Sequence, residues 1–263
     1  MQVRFTDDPA EVLSAAGAFL RSEPVFHNLL LTLIQARIAR PEPGRYWYSD
    51  DGVVFQSPLD FPATITPMRP EGIEAMVDAI CDAGVALPGI NGDAATAARF
   101  AGQWTERYGS AAIPARGQRL YELVGEPRRL PASGALRPAG AGDRELLEQW
   151  MHGFHDDVGE PLRDLGALLD RRPFYVWQDG EPASMVAHTH PVEGVVRVQY
   201  VYTPPDKRQR GYAGACVADL SRRLRAAGHR AALYTDLSNP VSNSIYRRIG
   251  YRAVAEVLRY TFK

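Results

Sequence analysis

Residues 200–220, YVYTPPDKRQRGYAGACVADL, run from an apolar strand through a proline stop and a basic, glycine-bearing turn into an amphipathic helix. Residues 200–203 are β-branched or aromatic, which suits a buried strand. Pro204 and Pro205 then withhold their amide donors and end the ladder. From Tyr212 the apolar positions Ala213, Cys216, Val217, Leu220 and Leu224 recur at helical spacing. Arg222, Arg223 and Arg225 fall outside that stripe, and Gly228 is the stop. Between strand and helix sits Arg208-x-x-Gly211-x-Ala213. Gly211 and the small Ala213 and Gly214 let an anion approach the main chain, where the first helical turn leaves about four N–H groups unpaired. Arg208 and Arg210 add positive charge. A Walker-type loop would need Gly-Lys-Ser/Thr and a dinucleotide fingerprint three spaced glycines, and neither is present. Taken alone, the turn also fits a plain strand–helix junction with solvated arginines.

The chain downstream decides between these readings. Residues 230–235 (RAALYT) form a second strand, and Asn239 before Pro240 is an N-cap followed by proline at the first helical position. A short helix carrying Ser242, Asn243, Ile245, Tyr246 and Ile249 ends at Gly250, and residues 251–262 alternate as a terminal strand.

RQRGYA and NPVSNSIYRRIGY, in that order, resemble the two CoA motifs of the GNAT superfamily of acyl-CoA-dependent N-acyltransferases: R/Q-x-x-G-x-G/A, and N-x-x-S/A-x-x-x-Y with a following Gly-aromatic pair. The resemblance covers roughly the last half of the chain. It implies an α/β (α+β) GNAT fold, a mixed and mostly antiparallel sheet flanked by helices, with acetyl-CoA as acyl donor. By the same resemblance Arg208, Gln209, Arg210, Gly211, Tyr212, Ala213 and Gly214 hold the CoA diphosphate. Val201, Tyr202 and Thr203 lie along the pantetheine arm, Asn239, Ser242 and Asn243 flank it, and Tyr246 stands where the family's thiol-protonating tyrosine does. The chemistry asks for such groups. Charge grows on the thioester oxygen, which a strand amide near Val201 or Tyr202 can stabilise, and a positioned phenol can protonate the departing thiolate.

The base is less defined. Some relatives carry a glutamate on the strand before the diphosphate loop, and the corresponding Arg197 cannot serve. Candidates are Asp157 and Glu160, in the helix and loop region that lines the acceptor pocket in such enzymes, and His190, which with His188 shares a face of the strand ASMVAHTH. Each also reads as ordinary surface: the histidines as partly exposed strand residues, the carboxylates as a solvated helix end. His152 and His155 beside Asp156 and Asp157 lack an H-E-x-x-H or cysteine-pair pattern, so no metal is expected.

With 263 residues, 45% hydrophobic content and a formal net charge of −1, the chain can bury one large core or two modest ones and has no bulk attraction for nucleic acid. Residues 1–9 hold no apolar signal core, and the apolar run 29–34 is too short to cross a bilayer, so a cytoplasmic monomer or homodimer is expected. Cys81 and Cys216 read as buried thiols.

The first half gives a parallel order of elements, with a hairpin through Asp51-Gly52, a strand at 63–65, and helices from Glu71 and over 94–108. Its junction, Thr66-Pro-Met-Arg-Pro70-Glu71-Gly72, has lost an amide donor at Pro70 and gained a negative charge at Glu71. Residues 1–130 are therefore expected to be a degenerate GNAT-like domain without a CoA site. They join a catalytic domain, 131–263, through the Pro/Gly-rich segment GEPRRLPASGALRPAGAGD. An unrelated α/β domain is the other reading of the first half. The function expected is transfer of an acetyl group from acetyl-CoA to a primary amine of a small molecule. The alternatives are a non-catalytic acyl-CoA-binding or sensor protein, and transfer to a peptide or protein amine.

Overall fold

The same succession of elements occurs twice along the chain. The computed structural model describes residues 1–159, 162 and 164–263. The first pass comprises β1 (Arg4–Thr6), α1 (Pro9–Ser22), α2 (Asn28–Ala39), β2 (Arg45–Ser49), β3 (Gly52–Gln56), β4 (Ala63–Ile65), α3 (Pro70–Asp82), β5 (Gly89–Asp93), α4 (Ala94–Tyr108) and β6 (Ala112–Leu123). The second comprises β7 (Ala135–Pro138), α5 (Arg144–Val158), α6 (Leu165–Arg171), β8 (Phe174–Asp179), β9 (Glu181–His188), β10 (Val195–Tyr202), α7 (Tyr212–Ala226), β11 (Arg230–Asp236), α8 (Pro240–Ile249) and β12 (Tyr251–Phe262). Pairing repeats with the order. β1 to β4 form an antiparallel meander and β4 then pairs with β5 in parallel. β7 to β10 form another, and β10 pairs with β11 in parallel. The architecture is mixed, mostly antiparallel and flanked by helices, as the motifs imply.

Packing divides the chain into two units: Met1–Leu120 with Asp236–Ser238 and Val254–Lys263, and Tyr121–Thr235 with Asn239–Ala253. The Pro/Gly-rich segment therefore belongs wholly to the second unit. The end of β12 belongs to the first, where Val257 to Thr261 pair antiparallel with β5.

In the first unit α3 and α4 place Ile73, Met76, Val77, Ile80, Phe100 and Trp104 against Val54, Ile65 and Ile90 of the strands. In the second, the sheet is covered on both faces. Val196 and Val198 of β10 pack with Cys216, Val217, Leu220 and Leu224 of α7, the stripe legible in the sequence. Met185, Ala187 and Tyr202 pack instead with Leu147, Trp150 and Met151 of α5. Each fully buried aliphatic side chain of this kind stabilises by about 1.5–3 kcal/mol. Cys81 and Cys216 are free thiols. No helix among the described residues is long and apolar enough to cross a membrane.

Candidate active site

The parallel pairing of β10 and β11 runs from Val195/Arg230 to Val198/Leu233. Beyond it, β10 continues to Tyr202 alongside β9 only in register terms: Gln199 faces Ala187 and Tyr202 faces Met185, three steps on β10 against two on β9. That extra residue is a bulge, and Tyr200 within it adopts φ +53°. A bulge re-aims the main chain, and a non-glycine residue at positive φ is strained, a combination concentrated at functional sites. The wedge that opens here is bordered by residues 200–202, the stretch expected to face a pantetheine arm.

Past the strand, a 3₁₀ turn at Pro205–Lys207 leads to Gly211, the N-cap of α7 at φ +83°, with Gln209 also at positive φ (+65°). The helix ladder begins where the Ala215 amide donates to the Gly211 carbonyl, so the amides of Tyr212, Ala213 and Gly214 have no partner inside the helix. Glycine at 211 is required twice over. The conformation is left-handed, and a Cβ would lie 3.0 Å from the Pro131 carbonyl oxygen. At Gly214 a Cβ would meet Leu130 at 2.7 Å and Ile245 at 3.3 Å. The Pro/Gly-rich segment thus lies as a strap against the start of α7, pinned where Trp177 Nε1 donates to the Ser133 carbonyl and Arg128 N to the Ile249 carbonyl.

The side chains of the turn have local duties. Arg208 donates from Nε to the Thr203 carbonyl and from Nη2 to Asp157 at 2.5 Å, and lies over the Tyr202 ring. Tyr212 is buried, and its hydroxyl donates to Asp179, whose carboxyl is held low first by Ser133 and then by Tyr212. The Thr203 hydroxyl donates to Ser184, which in turn donates to the Tyr202 carbonyl. What Tyr212 can offer an anion at this turn is its main-chain amide. Arg210 is exposed.

Asn239 caps α8 as its sequence indicates, accepting from the Ser242 amide at 2.9 Å. Asn243 is buried; its Nδ2 donates to the Asn239 carbonyl and its Oδ1 accepts from the Tyr121 hydroxyl. Both asparagines therefore have structural occupations, and that of Asn243 is one its motif did not reveal. Replacing Asn243 with alanine strands the buried Tyr121 hydroxyl, while the Asn239 carbonyl keeps its bond from the residue 243 main-chain amide. A loss of about 1–3 kcal/mol in urea unfolding is expected, and a loss below about 0.5 kcal/mol would show that this bridge does not hold α8.

Tyr246 is 8% exposed, between the rings of Tyr121 and Tyr251 at 6.4 and 6.1 Å. Its hydroxyl makes no hydrogen bond among the described residues, and burial alone pushes its pKa up to about 12.

Of the expected acceptor-side residues, Asp157 and His190 are engaged with other partners. Asp157 is on α5 but is paired with Arg208, both side chains nearly half exposed, an arrangement worth about 0–1 kcal/mol. Glu160 lies outside the described residues. β9 ends at His188, so strand alternation does not carry on to His190, which is exposed with Nε2 against the Arg171 carbonyl. His188 is opposite Val198, on the α7 face, stacked on Tyr175. Burial lowers its pKa. Arg197, set aside as unable to act as a base, is a buried cation with unsatisfied donors. It is 4% exposed, Nε and Nη1 have no hydrogen-bond partner among the described residues, and burial pulls its pKa down to about 10. Nothing in a lone arginine on a strand signals this from sequence. Among the described residues no three His, Cys, Asp or Glu side chains group to hold a metal ion.

The corresponding junction in the first unit carries an acidic residue and is capped by another. Pro70 opens α3, Glu71 is in its first turn, and Asp51 accepts from the Arg69 amide at 2.9 Å and from Arg69 Nε at 2.8 Å. A Cβ on Gly72 would lie 2.1 Å from that carboxylate. This helix start is thus capped by a carboxylate of its own chain.

Residues 178–260, which include the bulged strand, the turn, α7 and α8, match the family model described as FR47-like protein. No curated protein matches the sequence. Solved structures share the fold over nearly the whole chain. An acetyltransferase from the GNAT family of Colwellia psychrerythraea has TM-score 0.67 and 10% identity, covering 100% of both chains. A GCN5-related N-acetyltransferase from Sphaerobacter thermophilus has TM-score 0.65 and 13% identity, covering 99% of this chain and 95% of that one. A Drosophila protein has TM-score 0.66 and 17% identity, covering 98% of each. The fold is that of the GNAT superfamily.

Proposed function

We propose that the chain is an N-acetyltransferase that moves an acetyl group from acetyl-CoA to a primary amine of a small molecule, by direct attack with both reactants bound. The observation that carries this reading is Tyr246, a buried phenol whose hydroxyl has no hydrogen bond among the described residues, in the same unit as a turn with unspent amides. A protein that only bound acyl-CoA would have no use for such a proton donor.

The residues fit acetyl-CoA. Left-handed Gly211 and Gln209 turn the chain so that amides 209–214 can hold a diphosphate, and the diverging ends of β10 and β11 leave room for a narrow arm. Acetyl-CoA supplies the acyl group and a thiolate leaving group. The bulged amides near Val201 and Tyr202 stabilise the charge that grows on the thioester oxygen, and Tyr246 gives its proton to the sulfur. The amine loses its proton to water or to a carboxylate of the pocket. Asp157 enters this role only when Arg208 turns to the diphosphate. The first unit, repeating the fold with its helix start filled by Asp51, is read as a degenerate copy that binds no CoA.

Titration calorimetry with acetyl-CoA, followed by CoA release over a panel of amines, amino acids and aminoglycoside-like compounds, tests this. Binding and acceptor-dependent release support it. Binding with no release for any acceptor would favour a sensor, release with peptides alone would move the acceptor to a polypeptide, and no binding would end the acyl-CoA reading.

A further inference from the structure

Arg197 and Gln199 alternate with Val196 and Val198, which pack on α7, so both lie on the opposite, α5 face of β10. Gln199 stands opposite Ala187, which belongs to the cluster around Trp150 and Met151 of α5. On β11, Ala231 and Leu233 pack with α7, and Arg197 is in register with Ala232, which places Tyr234 on the α5 face beside it. Beside the larger effect of burial, Arg197 lowers the pKa of Tyr234 and Tyr234 raises that of Arg197, as groups on that shared face would. The group therefore sits where the two strands begin to part, immediately before the bulge at Tyr200.

This cluster is polar and incompletely satisfied. Nε and Nη1 of Arg197 and Oε1 of Gln199 are buried with no hydrogen-bond partner among the described residues. Among the described residues the groups that act on the Arg197 charge are two tyrosines, Tyr234 and Tyr200, and another cation, Arg172, with no carboxylate. A desolvated guanidinium without an anion is unfavourable, and buried charges in stable proteins are paired. The fold gives no structural return for it, since β10 is already held by its ladders and by the two apolar clusters.

We infer that Arg197, with Gln199 and Tyr234, is the binding site for a carboxylate carried by one of the two reactants. This rests on the acyl-transfer reading for which reactants are meant. A planar guanidinium binds a carboxylate through charge-assisted hydrogen bonds, Gln199 adds an amide, and Tyr234 a hydroxyl. The position at the root of the wedge makes the site sense the reacting end of a bound molecule. The carboxylate belongs either to the acceptor, as in an amino acid, or to the acyl group, as in a dicarboxylic monoester of CoA.

Two arms of one experiment separate these sources. With acetyl-CoA fixed, glycine, β-alanine and 4-aminobutyrate are compared with glycinamide and butylamine. With the acceptor omitted, succinyl-CoA and malonyl-CoA are compared with acetyl-CoA and butyryl-CoA. Affinity is read by calorimetry, which does not need turnover. In one arm the carboxylate compound is expected to bind about 30-fold or more tightly than its neutral partner, the usual effect of removing one member of a buried charge pair. Arg197→Met removes the preference and leaves the unfolding midpoint equal or higher, because an apolar side chain replaces an unpaired charge. Arg197→Lys, which keeps the charge without the fork, restores part of it. Equal affinities in both arms, or a preference that survives Arg197→Met, would overturn the inference. Failure of acetyl-CoA itself to bind would instead remove the acyl-CoA reading, and a carboxylate preference among the free amino compounds would still be measurable.

Discussion

Tyr246→Phe is expected to lower kcat by about 10²- to 10⁴-fold while the protein binds acetyl-CoA with unchanged affinity and unfolds at the same temperature or a slightly higher one. The stability half of this follows from the setting of the ring. It keeps its packing against Tyr121 and Tyr251, and the hydroxyl that is lost has no hydrogen bond to break. The kinetic half follows from proton affinity. With a pKa near 12 the phenol looks a poor donor to a thiolate whose reference value is about 8.5. Burial acts on thiols too: it pushes the Cys216 thiol strongly upward in the same core. A CoA sulfur leaving into such a setting would gain proton affinity as the phenol does, which narrows the gap between them. The sign for pH follows. The donor is the neutral form, and burial raises its pKa from 10 to about 12, so it stays competent across the neutral and moderately alkaline range. Any stability it contributes by staying neutral is complete below about pH 10 and lost as pH rises through about 12. The pH–rate profile of the parent should rise with deprotonation of the acceptor amine and show no fall before about pH 11. A Phe variant within threefold of the parent kcat would exclude the phenol as the proton donor.

Much of the second unit was legible because its signals are local. Proline at 204, 205 and 240, glycine at 211, 228 and 250, and the apolar stripe on α7 each mark a boundary by a mechanism that works within a few residues. The Asn239 cap and the span of β12 follow in the same way. What escaped depends on partners far away in the chain. β5, GINGD, has the composition of a loop, and its glycines make sense only in three dimensions. A Cβ on Gly89 would lie 2.2 Å from the Tyr260 carbonyl oxygen, and one on Gly92 2.7 Å from that of Ile65. The strap is another case. Its prolines and glycines read as a spacer, yet Leu130 and Pro131 pack on the start of α7. The occupations of Asn243 and Asp157 were equally hidden, since a motif names a residue type at a position but not whether a tyrosine 122 residues earlier, or an arginine 51 residues later, has claimed it.

The contrast between the two helix starts predicts a substitution that separates stability from binding. α3 and α7 occupy the same place in the repeated order of strands and helices, and Pro70, Glu71 and Gly72 correspond to Tyr212, Ala213 and Gly214. In the first unit a carboxylate stands in the first helical turn and a second, Asp51, caps the amide before it. Ala213→Glu would bring the first of these to α7. Position 213 is partly exposed, so the side chain can extend into solvent, and negative charge in a first turn stabilises a helix by about 0.3–1 kcal/mol. An unchanged or raised unfolding midpoint is expected. For a bound diphosphate the same charge is repulsive. At about 5 Å and an effective dielectric constant of about 20, one pair of like charges costs about 3 kcal/mol, roughly 200-fold in affinity. Acetyl-CoA binding should therefore fall by about two orders of magnitude in a protein that is no less stable, and 0.5 M salt should recover part of the loss. Ala213→Gln, with the same volume and no charge, should bind nearly as the parent does. If Glu and Gln weakened binding equally, bulk rather than charge would be responsible, and the start of α7 would not be where the diphosphate sits.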